Sequence, residues 1–238
     1  MLKIKNLIKS YDGKTNAVNN VSFEINSGEI FGFIGHNGAG KTTTIKCVVG
    51  LLPFEKGEIE INGISVKKNP LEAKCQMVYI PDNPDLYDAL TGIQFLNFIC
   101  DIYAIAKDVR NEEIKKYADM FEITKNLGDA ISSYSHGMKQ KLALISAFIR
   151  HPKLLILDEP FVGLDPKAMH LVKELMKEMC QEGNSVFFST HVLDVAEKLC
   201  DRIAIISHGE LKAYGTMEEV KGEESLEEVF LELEDRGE

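Results

Sequence analysis

Residues 35–42, Gly-His-Asn-Gly-Ala-Gly-Lys-Thr, have the types and spacing of a phosphate cradle. Glycines at Gly35, Gly38 and Gly40 let backbone N–H groups converge on phosphate oxygens, with His36, Asn37 and Ala39 completing the loop. A helix opening near Lys41 adds its positive dipole end. Lys41 is placed to reach β- and γ-phosphates, the Thr42 hydroxyl to bind Mg2+, and Thr43 to meet the α-phosphate. "LLILDEP" at 154–160 supplies acids to match: four apolar residues fill a strand, and Asp158 and Glu159 emerge at its end. Asp158 is suited to hold Mg2+ directly or through water, and Glu159 to orient or deprotonate an attacking water. "SYSHGMKQKLALIS" at 133–146 reads as a second anion-facing element. Ser135 is a good N-cap, Gly137 leaves backbone N–H groups uncovered, and Met138, Leu142, Ile145 and Ile149 recur at helical spacing.

These groups need elements to hold them. Residues 2–9, 19–25 and 57–63 have strand patterning, and the apolar run 29–35 reads as a buried strand feeding the cradle. Ile45, Val48, Val49 and Leu52 give the helix after the cradle, closed by Pro53. Thr91-Gly-Ile-Gln94 is a capping box that opens a helix to about residue 106. Asn111 is read as the cap of another helix, with Ile114, Tyr117, Ala118 and Phe121 inward. Strand signals vanish between about residues 83 and 152, then return at 154–158, 186–190 and 203–207 with helix patterns between them. Continuous apolar strands alternating with helices indicate a buried parallel sheet. The expectation is an α/β core over 1–82 and 153–217, interrupted by an all-helical segment at 83–152. Residues 218–238 follow as an acidic docked helix, with Ser225-Leu-Glu-Glu228 as its capping box and Leu226, Val229, Phe230 and Leu233 as its apolar face.

The composition of the 238-residue chain, 45% hydrophobic and 27% charged, is that of a globular protein. Its net charge of −10 is concentrated: ten acids and two bases in 218–238 give −8, leaving −2 for the other 217 residues. The arginines are Arg110, Arg150, Arg202 and Arg236, so no basic stripe for nucleic acid is present. No run approaches the ~18 apolar residues of a membrane span, and Lys3, Lys5 and Lys9 interrupt any signal-peptide pattern. Cys47, Cys75, Cys100, Cys180 and Cys200 are scattered without a CxxC pair, which reads as buried, reduced thiols.

"GHNGAGKTT", "YSHGMKQK", "LLILDEP", "GLDP" and "STH" occur in the order seen in ATP-binding cassette (ABC) ATPases, and the resemblance runs over nearly the whole chain. It implies a P-loop core with a mainly parallel sheet, an N-terminal antiparallel β subdomain and an inserted all-helical subdomain. ATP with Mg2+ is the implied ligand. Tyr134-Ser-His-Gly-Met138 resembles the family's Leu-Ser-Gly-Gly-Gln signature; Ser135 and Gly137 are kept, whereas Tyr134, His136 and Met138 depart from it. In the family this loop meets the γ-phosphate held by another subunit, so two chains facing head-to-tail would enclose two ATP molecules. Tyr11 resembles the aromatic that stacks on adenine, His191 the histidine at the γ-phosphate, and Asp165 the "GLDP" residue that crosses the dimer interface. Asp82 stands where the family usually has a glutamine that senses Mg2+ and water; an ionised carboxylate can ligate the metal but cannot donate a hydrogen bond.

The resemblance implies a cytoplasmic ATPase subunit, in a homodimer or heterodimer, peripheral on the inner membrane face through a separate transmembrane permease. "SLEEVFLEL" and "YSHGMKQK" resemble bacterial exporters of drugs, antibiotics and peptides. Of the apolar residues in 83–98, Leu86, Tyr87, Leu90, Phe95 and Phe98 either form the helical segment's core or open a groove for a permease helix. The competing reading is a soluble cassette ATPase acting on DNA or ribosomes. The 94-residue separation of Lys41 and Ser135, without heptads, and the single cassette both disfavour it. A GTPase or small-molecule kinase is disfavoured by the lack of an Asn-Lys-x-Asp motif.

Overall fold

The computed structural model describes residues 1–235. Its strands are β1 (Leu2–Ser10), β2 (Asn16–Ile25), β3 (Ile30–Ile34), β4 (Lys56–Ile61), β5 (Ile64–Ser65), β6 (Met77–Ile80), β7 (Leu154–Asp158), β8 (Ser185–Thr190), β9 (Arg202–Ser207) and β10 (Glu210–Thr216). Its α-helices are α1 (Lys41–Val48), α2 (Pro70–Cys75), α3 (Gly92–Ile102), α4 (Lys107–Met120), α5 (His136–Phe148), α6 (Pro166–Gln181), α7 (Leu193–Leu199), α8 (Met217–Lys221) and α9 (Leu226–Asp235). They form two compact units. The first holds Met1–Tyr79, Lys153–Pro160 and the residues from Met176 onward; the second holds Ile80–Pro152 and Phe161–Leu175. The second unit thus gains the first part of α6 over the expected 83–152. Periodicity marks α6 as a helix, but not which neighbours bury it.

The first unit contains two sheets. One has the order β2-β1-β4-β5, with β1 antiparallel to both β2 and β4. The other has the order β10-β9-β3-β8-β7-β6, with β9, β3, β8 and β7 parallel. Every residue of β3, β7 and β8 is buried, as apolar strands in a parallel sheet must be. An aromatic cluster joins the sheets: Phe23 of β2 stacks on Phe31 of β3 at 5.2 Å and lies 5.8 Å from Phe187 of β8. Phe33 is also 5.8 Å from Phe187. Tyr214 of β10 covers Phe31 and donates its hydroxyl to the Glu24 carbonyl at 2.9 Å. These contacts anchor β3, which delivers the cradle. The edge strand β10, antiparallel to β9, had no reading in the sequence because its half-buried residues lack a clean apolar period.

In the second unit, the Thr91/Gln94 capping box starts α3 as expected. The helix stops at Ile102, before the expected residue 106, and Ala104 takes a left-handed backbone (φ +52°). The next helix, α4, begins at Lys107 with Ala106 as its N-cap, so Asn111 lies inside the helix rather than capping it. The extra turn is anchored by Arg110, whose guanidinium donates to the Ile105 carbonyl at 2.9 Å and pairs with Asp101 at 2.6 Å. Ile114, Tyr117, Ala118 and Phe121 are buried, and Tyr117 stacks on Phe148 of α5 at 5.8 Å.

Back in the first unit, α9 docks through Leu226, which is fully buried, and its Ser225/Glu228 capping box forms. The last three residues of the expected tail, 236–238, lie outside the described residues. All five cysteines are free; Cys47, Cys100 and Cys200 are buried, but Cys75 at the end of α2 is exposed, contrary to the expectation. Deleting the Phe187 ring leaves a cavity at the junction of the two sheets. Phe187→Ala is expected to lower unfolding free energy by about 3–5 kcal/mol, read as an earlier urea midpoint at unchanged slope.

Candidate functional site

The cradle leaves β3 at Gly35 and enters α1 at Lys41. Its path is held against neighbouring backbone. Gly40 has φ +109°, and a Cβ there would sit 2.6 Å from the Ala17 carbonyl oxygen. The Gly209 N–H donates to the Ala39 carbonyl at 2.9 Å, and the Ala39 N–H to His36 at 3.1 Å. Gly38, by contrast, faces open space (φ +86°), and Asn37 beside it is exposed. Lys41 is 6% exposed, and its ammonium donates to the carbonyls of Gly35 at 2.6 Å and His36 at 3.1 Å. That occupies two of its three N–H bonds. Burial pulls its pKa below the ordinary 10.5, against the opposing pull of the Glu159 and Asp158 carboxylates.

The parallel strands bring the other groups to the same level, as carboxyl ends of such a sheet do: Ile34 pairs with Thr190, and Asp158 with Ser189. Asp158 is 1% exposed. Its Oδ2 accepts from the Thr42 hydroxyl at 2.8 Å, and its Oδ1 from the Ser189 hydroxyl. Thr42 and Asp158 therefore present converging hard oxygens. Mg2+ suits that pair, because it completes its shell with phosphate oxygens and water and needs few protein ligands. Among the described residues no cluster of three His, Cys, Asp or Glu side chains could hold a metal on its own.

Glu159 has a left-handed backbone (φ +48°), and its N–H donates to the Ser189 hydroxyl and carbonyl, each at 3.2 Å. Glu159 Oε1 lies 2.9 Å from His191 Nδ1 and 3.6 Å from the Lys41 ammonium. Lys41, Thr42, Asp158, Glu159 and His191 are thus one connected group. Ser189, which fixes both acids, was missed in the sequence. Its signal is a hydroxyl directly after the apolar run Val186–Phe188 of a buried strand. Tyr11 is 65% exposed, with its hydroxyl 3.2 Å from Thr43 Oγ1 and the Lys9 ammonium 5.6 Å from its ring centre.

The second unit carries Ser135, Gly137, Asp165 and Asp82. Ser135 caps α5, accepting the Met138 N–H at 3.3 Å. Asp165 caps α6 through the Ala168 N–H at 2.9 Å and pairs with Lys141 of α5 at 2.6 Å. The Lys141 ammonium holds the Asp165 carboxyl below its ordinary range. Gly137 passes so close to Gly163 that a Cβ would lie 2.7 Å from the Gly163 oxygen, and His136 packs over Gly163. The "YSHGM" and "GLDP" segments are therefore interlocked, which their separation in sequence does not reveal. Tyr134, the departure from the family's leucine, is buried and donates to the Asn126 carbonyl at 2.6 Å. Asp82 is exposed, and its Oδ1 accepts the Asn83 N–H at 2.9 Å.

A glycine-rich loop between β3 and α1, with a buried aspartate on its threonine and a glutamate beside it, defines a P-loop nucleoside-triphosphate hydrolase core. Comparison with known proteins sharpens this. The ABC transporter family matches residues 18–162. The ABC-type transporter ATP-binding protein EcsA of Bacillus subtilis is 38% identical over 98% of this chain and 96% of its own length. The linearmycin resistance ATP-binding protein LnrL, also of Bacillus subtilis, is 36% identical over 91% of this chain and 69% of its own. A solved ATP-binding subunit of an ABC transporter superposes with TM-score 0.94 at 36% identity, covering 98% of this chain and 99% of that one. The chain belongs to the ABC transporter family, as an ATP-binding, ATP-hydrolysing subunit.

Two outcomes test the cradle. Lys41→Ala removes the buried ammonium of the cradle and is expected to weaken ATP binding by about 10- to 100-fold in calorimetric titration. The second concerns alkaline stability without nucleotide. Between its lowered pKa and 10.5, Lys41 is deprotonated in the folded chain but protonated in the unfolded one, so its contribution makes stability rise with pH. Lys41→Met is expected to remove that contribution, so the stability of the unaltered chain relative to the variant rises with pH over this window.

Proposed function

We propose that the chain drives export of a drug-like molecule or peptide, working as one of two cassettes that share their ATP sites head-to-tail. The observation that carries the reading is that each unit presents its own helix start of small or hydroxyl-bearing residues: α1 opening at Lys41 behind Gly40, and α5 capped by Ser135. One chain with two such elements is suited to hold one nucleotide and cover another. In this reading the cradle binds the triphosphate, with Lys41 on its β- and γ-oxygens and Thr43 on the α-phosphate. Thr42 and Asp158 hold Mg2+, which neutralises phosphate charge. Glu159 takes the proton of the attacking water, oriented by His191. Tyr11 offers its exposed ring to the adenine. Ser135, Gly137 and the positive end of α5, equivalent to about half a charge, meet the γ-phosphate of the opposite copy. Closure excludes water and strengthens each contact. Asp165 contacts the partner cassette, and Asp82 takes the sequence position of the family's usual glutamine.

No helix among the described residues is long and apolar enough to cross a membrane, so the pathway in this reading lies on a permease subunit. Phe95 is buried and belongs to the helical unit's core. Tyr87 and Phe98 are 58% and 41% exposed and meet edge-to-face at 5.5 Å, and Ile102 follows one turn on. That apolar patch suits a cytoplasmic helix of the permease and would keep the subunit on the inner membrane face. Export is favoured by the likeness to LnrL, named for linearmycin resistance.

Glu159→Gln is expected to retain ATP and accumulate as a dimer in light scattering. Ser135→Arg is expected to keep nucleotide affinity but lose hydrolysis. Mixing Ser135→Arg with Lys41→Ala chains restores one composite site and part of the ATPase rate. No recovery in any mixture, or a rate per molecule unchanged by dilution to monomer, would overturn shared sites. Co-purification from native membranes with ribosomes or DNA instead of a permease would overturn the transport reading.

A further inference from the structure

The phosphate loop touches a part of the chain that lies outside every nucleotide motif. The His36 ring, second residue of the loop, is met edge-on by Phe230 of α9, with ring centres 5.8 Å apart and planes at 75°. On another side it meets His208, in the turn between β9 and β10, at 6.2 Å and 75°. The turn is tied to the loop independently, since the next residue, Gly209, donates its N–H to Ala39. The C-terminal helix is itself held firmly. Leu226, one turn before Phe230, is fully buried. The Leu226 N–H donates to Glu197 of α7 at 3.4 Å, and the other Glu197 oxygen pairs with Lys221. The Ser225/Glu228 capping box fixes the start of the helix.

His36 matters through its backbone. Its carbonyl accepts both the Lys41 ammonium and the Ala39 N–H, each at 3.1 Å. The imidazole is therefore the lever between the C-terminal helix and the carbonyl that aims the phosphate-binding ammonium. We propose that Phe230 is a positioning residue for ATP: by bracing the His36 ring, α9 preorganises the cradle and sets nucleotide affinity. A loop held in its binding conformation loses less freedom when ATP arrives. The proposal rests on the cradle being the ATP site.

The test is steady-state ATP hydrolysis by the full chain, with thermal unfolding measured alongside. Phe230→Ala is expected to raise KM for ATP by about three- to tenfold, the size of one aromatic contact, with kcat changed less than about twofold. Phe230→Tyr keeps the ring and is expected to restore KM. Leu231→Ala, on the exposed side of the same helix, is expected to leave both parameters unchanged. In a His36→Ala background, Phe230→Ala is expected to add less than about twofold, because the lever is already gone. An unchanged KM in Phe230→Ala, or the same full effect without the His36 ring, would overturn the proposal. If Phe230→Ala unfolds, the Phe230→Leu variant carries the same comparison, and an unchanged KM there overturns it equally. Failure of the wild-type chain to bind ATP at all would instead sink the reading of the cradle.

Discussion

A buried ammonium is the constraint around which the first unit is organised. An unpaired charge withdrawn from water is costly, so Lys41 can sit at 6% exposure only if acceptors surround it. The Gly35 and His36 carbonyls do so because β3 ends where its last apolar residue meets the turn, and because Gly40 admits a backbone path that any side chain would block. The remaining attraction comes from Glu159 and Asp158, delivered at the end of another strand of the same sheet. The loop, the sheet register and the acids thus depend on one another. The aromatic cluster of Phe23, Phe31, Phe33 and Phe187 keeps the strands in that register.

The second unit solves a different problem with the same means. It offers a helix start with a hydroxyl cap and small residues, and stiffens it from behind. Gly137 against Gly163, His136 over Gly163, and Lys141 on Asp165 bind the α5 start to the segment before α6. A polar recognition surface works best when its donors do not need to reorganise on meeting an anion. The serine alone would be an ordinary helix cap. The interlock makes it part of a rigid surface.

Much of this was legible in the chain itself because the strongest signals are local. Loop spacing, continuous apolar strands and capping boxes each follow from a few neighbouring residues, and the cradle, Asp158, Glu159 and the starts of α3 and α5 follow from those. What escaped depends on distant neighbours. Ser189 matters only because β8 lies between β3 and β7. The start of α4 moved from Asn111 to Lys107 because Arg110 found Ile105 and Asp101, a preference stronger than asparagine's for a cap. Cys75 looked like another buried thiol until the end of α2 proved exposed. The Phe230 contact with His36 joins residues from opposite ends of the chain, and no local pattern announces it.

Glu159 sits at φ +48°, a backbone region where side chains other than glycine, asparagine and aspartate are uncommon and where the penalty is of order 1–3 kcal/mol. Glycine would relax the turn, yet it would strip away the carboxylate. If Glu159 is the general base proposed above, the chain retains it against a thermodynamic gradient, and random drift toward greater robustness at this position runs downhill into inactivity. Screens that reward heat tolerance alone would select dead enzyme here, so stabilisation of this scaffold has to be sought elsewhere.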